Sequence, residues 1–272
     1  MRFLEYLSDG FDRLGDLLPL AVVPLLATFI DIDKIRKVSE VNGLRLGVSF
    51  HFPTGLPTFW TFVSLPNTTT GIHISPMWYF VPIYAVVTSI LMGGFLGSIR
   101  DGIETGSYDF TYNARNYFLP LLGYTVLVWV AILATGGAAL VFAPLIFVAL
   151  LVLLVLNFVF YGVPFIVVVD DRSLTEALRR SYELATGESK YATFGVGYLV
   201  VVFLLSLVGT LFINLGIAGI VIGAVLSAPV SLALTVATVE FFIDLRSPGS
   251  NPVERPPTER SDWPPTERSD YD

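Results

Sequence analysis

The chain of 272 residues contains no cysteine and only two histidines. Without cysteine it can form neither a disulfide nor a thiolate metal site. Charged residues make up 14% of the sequence, whereas ordinary soluble domains contain about 25%. The motifs G-x-S-x-G, H-E-x-x-H and G-x-x-x-x-G-K-[ST] are also missing, so no motif indicates hydrolase, metalloprotease or nucleotide-binding chemistry. We therefore expect no cofactor, and we name no catalytic or metal-ligating residue.

The charge that is present is mostly acidic. Asp and Glu number 23, Lys and Arg number 16, and the formal net charge is −7. An acidic, lysine-poor balance is typical of proteins from salt-loving organisms. It argues against nucleic acid as a partner, because that requires basic patches. The first 16 residues include four acids and lead to no cleavage site, which is not typical of a signal peptide.

Apolar residues dominate the rest of the chain. They account for 54% of it, and the mean hydropathy is +0.70. They lie in blocks long enough to cross a hydrocarbon core about 30 Å thick, which predicts an all-α transmembrane helix bundle. We predict six spans, of which the first is short and, as an alternative, re-entrant: Leu17–Ile32, Met77–Ile99, Tyr117–Thr135, Phe142–Val168, Thr193–Ile213 and Ile217–Ile243. The membrane domain covers 1–245, with one large outside loop at 33–76.

The positions of Lys and Arg predict the orientation. One set of loops contains nine basic residues: Arg2, Arg13, Arg100, Arg115, Arg172, Arg179, Arg180, Lys190 and Arg246. The opposite set contains four: Lys34, Arg36, Lys37 and Arg45. This distribution predicts a multi-pass protein of the cell membrane with both termini in the cytoplasm.

A charged, amphipathic helix is predicted between the fourth and fifth spans, at 173–186. One side includes Leu174, Leu178 and Tyr182, and the other includes Arg179 and Arg180. Ser173 and Glu176 have the spacing of a capping box, and Gly187 stands where a left-handed residue often ends a helix. The helix is too short to span, so we place its apolar face in the membrane interface. The alternative is a helix docked on the bundle.

This arrangement of an amphipathic helix before a membrane hairpin occurs three times in the sequence. Residues 2–16 have an apolar side with Phe3, Tyr6 and Leu7, and Asp109 can cap a turn that leads into the third span. The chain therefore divides into three units, near 1–99, 107–169 and 171–245.

The sequence VVVDDRSLTEALRRSYELATGESKYATF resembles the membrane domain attached to some glycerophosphodiester phosphodiesterases. The wider pattern, with YDFTYNARNYFLPLL and NLGIAGI, resembles uncharacterised integral membrane proteins of halophilic archaea. The catalytic phosphodiesterase domain is absent, so the resemblance implies a membrane helix bundle and no known activity.

The outside loop has an alternating pattern from Leu44 to Phe52, which predicts a strand. The stretch 58–65 could pair with it in a small sheet that caps the bundle. Asn67 begins an N-glycosylation pattern. His51 and His73 both lie in this loop, and we interpret them as ordinary loop residues because a metal site needs more ligands.

The tail, 246–272, is rich in proline and charge and is predicted to be disordered. PPTERSD occurs in it twice, at 256–262 and 264–270. The tail is either a soluble spacer or a two-copy ligand for a cytoplasmic partner.

Small residues recur every fourth position on the sixth span, at Gly219, Gly223, Ser227, Ser231 and Thr235, and again at Gly93 and Gly97. Such ridges permit close helix packing, within one chain or in a homo-oligomer. Two polar residues within spans are candidate functional residues. Asn157 is either a hydrogen-bonding link between helices or part of a pathway, and Glu240 either reaches water or lines the same pathway.

Three functions remain open. The composition, poor in buried charge, favours a non-enzymatic scaffold or accessory protein that organises membrane lipids or partners. A small transporter or channel is the second, and a lipid-acting membrane enzyme is the third.

Overall fold

The computed structural model describes residues 2–39, 47–65, 80–141 and 145–246, and all its regular elements there are helical. Two short 3-10 helices occur at Leu18–Ala21 and Phe59–Phe62. The α-helices are α1 (Arg2–Asp12), α2 (Leu14–Leu17), α3 (Val22–Ile30), α4 (Ile32–Ser39), α5 (Val81–Thr105), α6 (Phe110–Val141), α7 (Leu145–Phe160), α8 (Val163–Val169), α9 (Leu174–Gly187), α10 (Ser189–Ile213) and α11 (Gly216–Asp244). The predicted all-α bundle is confirmed.

In the described residues, five stretches are individually long and apolar enough to cross a membrane. They correspond to the second to sixth predicted spans, with α7 and α8 sharing one. The first segment passes the same test only together with α1, from which it is bent by 56°, so the structure has five or six spans.

The path of the first segment favours six. We call the end of the bundle that holds α1 and Leu245 the terminal end, and the end where α10 joins α11 the loop end. Leu17 lies against Gly102, near the terminal end of α5. The Thr28 carbonyl accepts a hydrogen bond from the Trp60 indole, and Trp60 lies beside the loop-end half of α11. The segment therefore runs through the bundle rather than turning back.

Helix α1 packs on α11 and α10, so the first and last described elements are neighbours. The fit is close at Gly10, where a Cβ would collide with the backbone of Ala233. The Tyr6 hydroxyl donates to the Asp244 carboxylate at 2.7 Å. Residues 2 and 246 consequently lie at the same end of the molecule.

Helix α9 lies at the terminal end and docks on the bundle. Ala177 and Ser181 are fully buried, and Leu174 and Leu178 are partly buried against the core. Tyr182 is exposed on the predicted apolar side. The predicted apolar side therefore contacts protein over most of its length, as in the alternative of a helix docked on the bundle. Contact of Tyr182 with the membrane stays a prediction.

The ends of α9 test two local predictions. The capping box of Ser173 and Glu176 is confirmed, and it uses the Glu176 carboxylate that could otherwise pair with Arg180. The prediction of a left-handed conformation at Gly187 is wrong, because the described glycines with a positive φ are Gly106 and Gly216. Asp109 caps α6 as predicted, accepting from the Tyr112 amide at 3.0 Å.

The predicted sheet over the loop end is wrong for the described residues, among which no strand forms. Residues 59–62 form a 3-10 helix, and residues 47–54 have no regular secondary structure. The two stretches do lie side by side, but a side chain joins them: the Ser49 hydroxyl donates to the Val63 carbonyl at 2.9 Å.

The small residues serve contacts within the chain. Gly93 lies against Tyr117, and Gly97 against Asn113, which lets α5 and α6 approach closely. Gly223 faces the ring of Phe59 in the loop. Farther along α11, Ser227 is half-buried, and Ser231 and Thr235 are buried.

Candidate functional site: a re-entrant loop and its cavity

Residues 47–65, which we call the re-entrant loop, enter the bundle from the loop end instead of covering it. Hydroxyl groups of α10 bind the backbone on the way in. Thr210 donates to the Gly47 carbonyl at 2.9 Å, and Ser206 accepts from the Ser49 amide at 3.0 Å. These bonds replace the ladder that a strand would have made.

The loop reaches its greatest depth near Phe52. This ring touches Gly195 and stacks on Tyr161, 5.9 Å between centroids. Gly195 lies five helical turns from Ile213, roughly 27 Å along α10. At Gly55, where the chain turns back, a Cβ would meet Met92 and Pro164. The loop tip is therefore tightly packed in the interior.

Phe52 meets the bundle where the fourth span is broken. Between α7 and α8, the Gly162 amide donates to the Tyr191 hydroxyl at 3.1 Å instead of to a helix carbonyl. The freed Val159 carbonyl accepts from Ser181 at 2.7 Å and from Tyr191 at 3.0 Å. Pro164, in the first turn of α8, cannot donate to the Phe160 carbonyl, which accepts instead from the Tyr124 hydroxyl at 3.5 Å. Side chains of α9 and α10 thus stabilise the interruption.

The returning part of the loop is fixed by the 3-10 helix. Thr58 and Thr61 form a capping box at its start. The Trp60 indole donates to the Thr28 carbonyl at 2.7 Å, and the Phe59 amide donates to the Thr28 hydroxyl at 3.2 Å. Thr28, at the end of the first segment, therefore ties the loop to α3.

A cavity of about 200 Å³ lies between the re-entrant loop, α3, α4 and α5. Asp31, which is buried, pairs with Lys34 at 2.8 Å across its wall. The Lys34 ammonium also lies 5.9 Å from the centre of the Trp60 ring, within range of a cation–π interaction. The other polar lining residues are His51, Thr54, Thr58, Thr61, Tyr84 and Thr88.

His51 lies at this cavity with its side chain partly exposed. Burial of the ring and, to a smaller extent, the nearby Lys34 charge lower the pKa of His51 below its ordinary value. In the described part of the chain, no group of three or more His, Cys, Asp or Glu side chains could hold a metal ion, and His73 lies outside it.

The two polar candidates within the spans do not meet, and neither lies at this cavity. Asn157 lies on the exposed side of α7. Glu240 is half-buried near the terminal end and pairs with Arg13 at 2.5 Å. Asn67 and the repeated tail sequence, 256–270, lie outside the described residues.

The structure also contains a buried ionic cluster at the terminal end that sequence reasoning missed. Arg100, 2% exposed, donates to the Tyr117 hydroxyl and the Val168 carbonyl, each at 2.6 Å. It pairs with Asp101 at 3.0 Å and Asp171 at 3.1 Å. The signal in the sequence is an adjacent Arg–Asp pair at the end of an apolar span. The sequence analysis uses Arg100 only for the orientation.

This cluster joins α5 and α6 to the connection between α8 and α9. Asp171, in that connection, has a φ of 50°, in the left-handed region that aspartate tolerates better than most residues. On the same side, Arg246 pairs with Glu104 at 3.0 Å and with Asp170 at 3.5 Å. Burial raises the pKa of Asp170, and the charges of nearby arginines oppose that rise. The cluster is a structural tie among four helices.

Three comparisons with known proteins add no family to this description: no protein-family model, no curated protein and no solved structure matches the chain.

Proposed function

We propose that this multi-pass membrane protein transports or conducts a small polar solute, which it binds in the cavity beside the re-entrant loop. The observation that carries the proposal is the loop itself. Within a membrane, non-helical backbone is tolerated only where it is buried in protein or lines a water-filled cavity. The loop does both, because Phe52 is buried and Thr54 and Thr58 line the cavity.

The cavity has the groups that a small polar solute requires. Asp31 and Lys34 supply opposite charges, and the threonine hydroxyls supply donors and acceptors on the opposite wall. These groups suit a zwitterionic or hydroxyl-rich solute. Deeper in the bundle, Phe52 stacks on Tyr161 at the broken fourth span. In the proposed mechanism, this ring pair separates the cavity from the terminal end.

The proposal requires the re-entrant loop to move, and the absence of native cysteine permits a clean test. Ser49 and Ser206 touch across the loop and α10. The double variant Ser49→Cys/Ser206→Cys, joined by a short reducible thiol crosslinker, holds the loop against α10. Proteoliposomes containing this variant are mixed with neutral, zwitterionic, cationic and anionic solutes, and vesicle volume is followed by light scattering.

We expect the uncrosslinked protein to admit at least one class of solute, crosslinking to stop uptake, and reduction to restore it. Each single-cysteine variant treated with the same reagent is the control. If no class enters faster than it enters protein-free vesicles, or if the crosslinked protein is equally active, the proposal is wrong.

A non-enzymatic scaffold is the second candidate, and the α6–α7 hairpin favours it. The outer side of this hairpin carries exposed apolar side chains, including Val126, Val130, Leu133, Phe147, Leu150 and Leu154. Such a surface can organise lipids or the helices of a partner or second copy. A scaffold would keep its membrane partners after the loop is crosslinked, so the same variant separates the two functions.

We also propose that the terminal end faces the cytoplasm, since the nine basic residues counted above belong to it and four to the opposite loops. Kinship with integral membrane proteins of halophilic archaea likewise remains a proposal based on sequence resemblance.

A further inference from the structure

A second cavity, of about 410 Å³, opens at the terminal end between α1, α10 and α11. It is separate from the re-entrant loop and plays no part in the proposed transport. Its size lies within the range of small-molecule sites.

Aromatic rings form the floor of this terminal cavity. Phe194 stacks on Phe241 with 4.0 Å between centroids, and Phe3 meets Phe194 edge-on at 5.1 Å. Tyr6 packs edge-on against Phe241 at 5.8 Å. Phe3, Phe194 and Phe241 are each less than 10% exposed, so the floor of the cavity is a rigid, packed apolar surface.

Opposite charges stand on two walls of the same cavity. Lys190, in the first turn of α10, is exposed beside the hydroxyl residues Ser189 and Thr193. Asp244, at the end of α11, lies across from them, and its position is fixed by the Tyr6 hydroxyl at 2.7 Å. An ammonium group would be stabilised by Asp244, and a phosphate by Lys190 and the hydroxyls.

We propose that the terminal cavity binds a phosphate ester that carries an ammonium group, as in the headgroup of a zwitterionic phospholipid. The ammonium lies next to Asp244 above the apolar floor, and the phosphate lies at Lys190. The ligand comes from the membrane as a whole lipid, because the cavity is at the bundle end where α9 and α1 dock. A free headgroup from solution is the other source of the same chemistry.

The test uses the full chain, purified and delipidated in detergent, with binding measured by native mass spectrometry. The probes are phosphatidylcholine, phosphatidylglycerol and soluble glycerophosphocholine. The variants are Lys190→Gln and Asp244→Asn, and the control is Lys37→Gln, which removes a lysine from α4 at the opposite end. A thermal unfolding curve for each variant checks that it is folded.

We expect Lys190→Gln to weaken both lipids roughly tenfold, the effect of losing one charge-assisted hydrogen bond. Asp244→Asn should weaken phosphatidylcholine by a similar factor and leave phosphatidylglycerol unchanged, because only the former has an ammonium group. Unchanged phosphatidylcholine binding in both variants, or an equal loss in Lys37→Gln, overturns the proposal. If soluble glycerophosphocholine binds as tightly as phosphatidylcholine, the site is correct but its ligand does not have to come from the membrane.

Discussion

Arg100 is a buried cation whose partners come from three parts of the fold. It pairs with Asp101 on its own helix and with Asp171 beyond α8, and it binds the Tyr117 hydroxyl of α6. Removing one member of a buried ion pair leaves the others uncompensated, at a cost of about 3–5 kcal/mol. We therefore expect Arg100→Gln to lower the free energy of unfolding by that order.

The matched control for this change is Arg115→Gln. Arg115 lies on α6 and is exposed, so its replacement should change stability by less than about 0.5 kcal/mol. Unfolding of both variants in detergent, followed by helix content, makes the comparison. Equal stability of the two would show that the Arg100 cluster contributes little net energy.

His51, at the cavity beside the re-entrant loop, makes the stability of the protein depend on pH. Its pKa is lowered from 6.5 in the folded protein, so the unfolded chain binds a proton more readily. The stability that this residue contributes is therefore fully present above pH 6.5 and is lost as the pH falls from there through the folded-state pKa. We expect His51→Gln to lose less stability than the wild type between neutral and mildly acidic pH.

Thermal unfolding over that pH range measures the effect. His73→Gln serves as the control, because His73 is the other histidine in the sequence. An identical pH response in His51→Gln and the wild type would show that His51 does not carry it.

At the scale of elements, two glycines in long helices distinguish a contact site from open space. A Cβ on Gly209 of α10 would collide with the Phe62 carbonyl of the re-entrant loop, whereas a Cβ on Gly136 of α6 would meet nothing within 4 Å. We expect Gly209→Ala to displace the loop and lower the melting temperature. Gly136→Ala should leave stability unchanged or raise it by up to about 1 kcal/mol, because alanine favours helix.

Limited proteolysis within the re-entrant loop reports its displacement, and thermal unfolding reports stability. Loss of protection in Gly209→Ala alone is the expected pattern. If both variants behave alike, the close approach at Gly209 does not hold the loop in place.

Elements with local signals could be predicted from the sequence, and the re-entrant loop could not. The apolar runs predict the hairpins, and the capping box of Ser173 and Glu176 predicts the start of α9. The alternation from Leu44 to Phe52 marks an extended chain, but it does not distinguish a neighbouring strand from a neighbouring helix. The partners of the loop, Ser206 and Thr210, are more than 140 positions away, and nothing in the sequence pairs them.

The cavity was hidden for the same reason. From the sequence, Lys34 and His51 are loop residues and Asp31 belongs to the end of the first predicted span. Nothing there brings them together, because the cavity depends on the loop returning past Thr28. The orientation of Asn157 could not be predicted either, because helical phase cannot be read from a run that is apolar on every side. The structure places Asn157 on the exposed side of α7, and its role as a link between helices or as part of a pathway stays a prediction.

At the scale of the whole molecule, orientation is the prediction with the widest consequences. A reporter active only outside the cell should work when fused after Thr70, a position outside the described residues, and fail when fused after Gly187. The reason is the excess of basic residues at the terminal end. The reverse pattern would place the terminal end outside and turn the cavity beside the loop toward the cytoplasm.

The contact between α1 and α11 also determines when the protein can finish folding. Tyr6 and Asp244 are 238 positions apart, so α1 leaves the ribosome long before its binding surface exists. At synthesis rates of about 5–20 residues per second, that interval is on the order of tens of seconds. During it, the apolar side of α1, with Phe3 and Tyr6, can rest in the membrane interface. The amphipathic helix at the start of the chain thus suits two successive environments, lipid during biogenesis and the bundle after α11 is inserted.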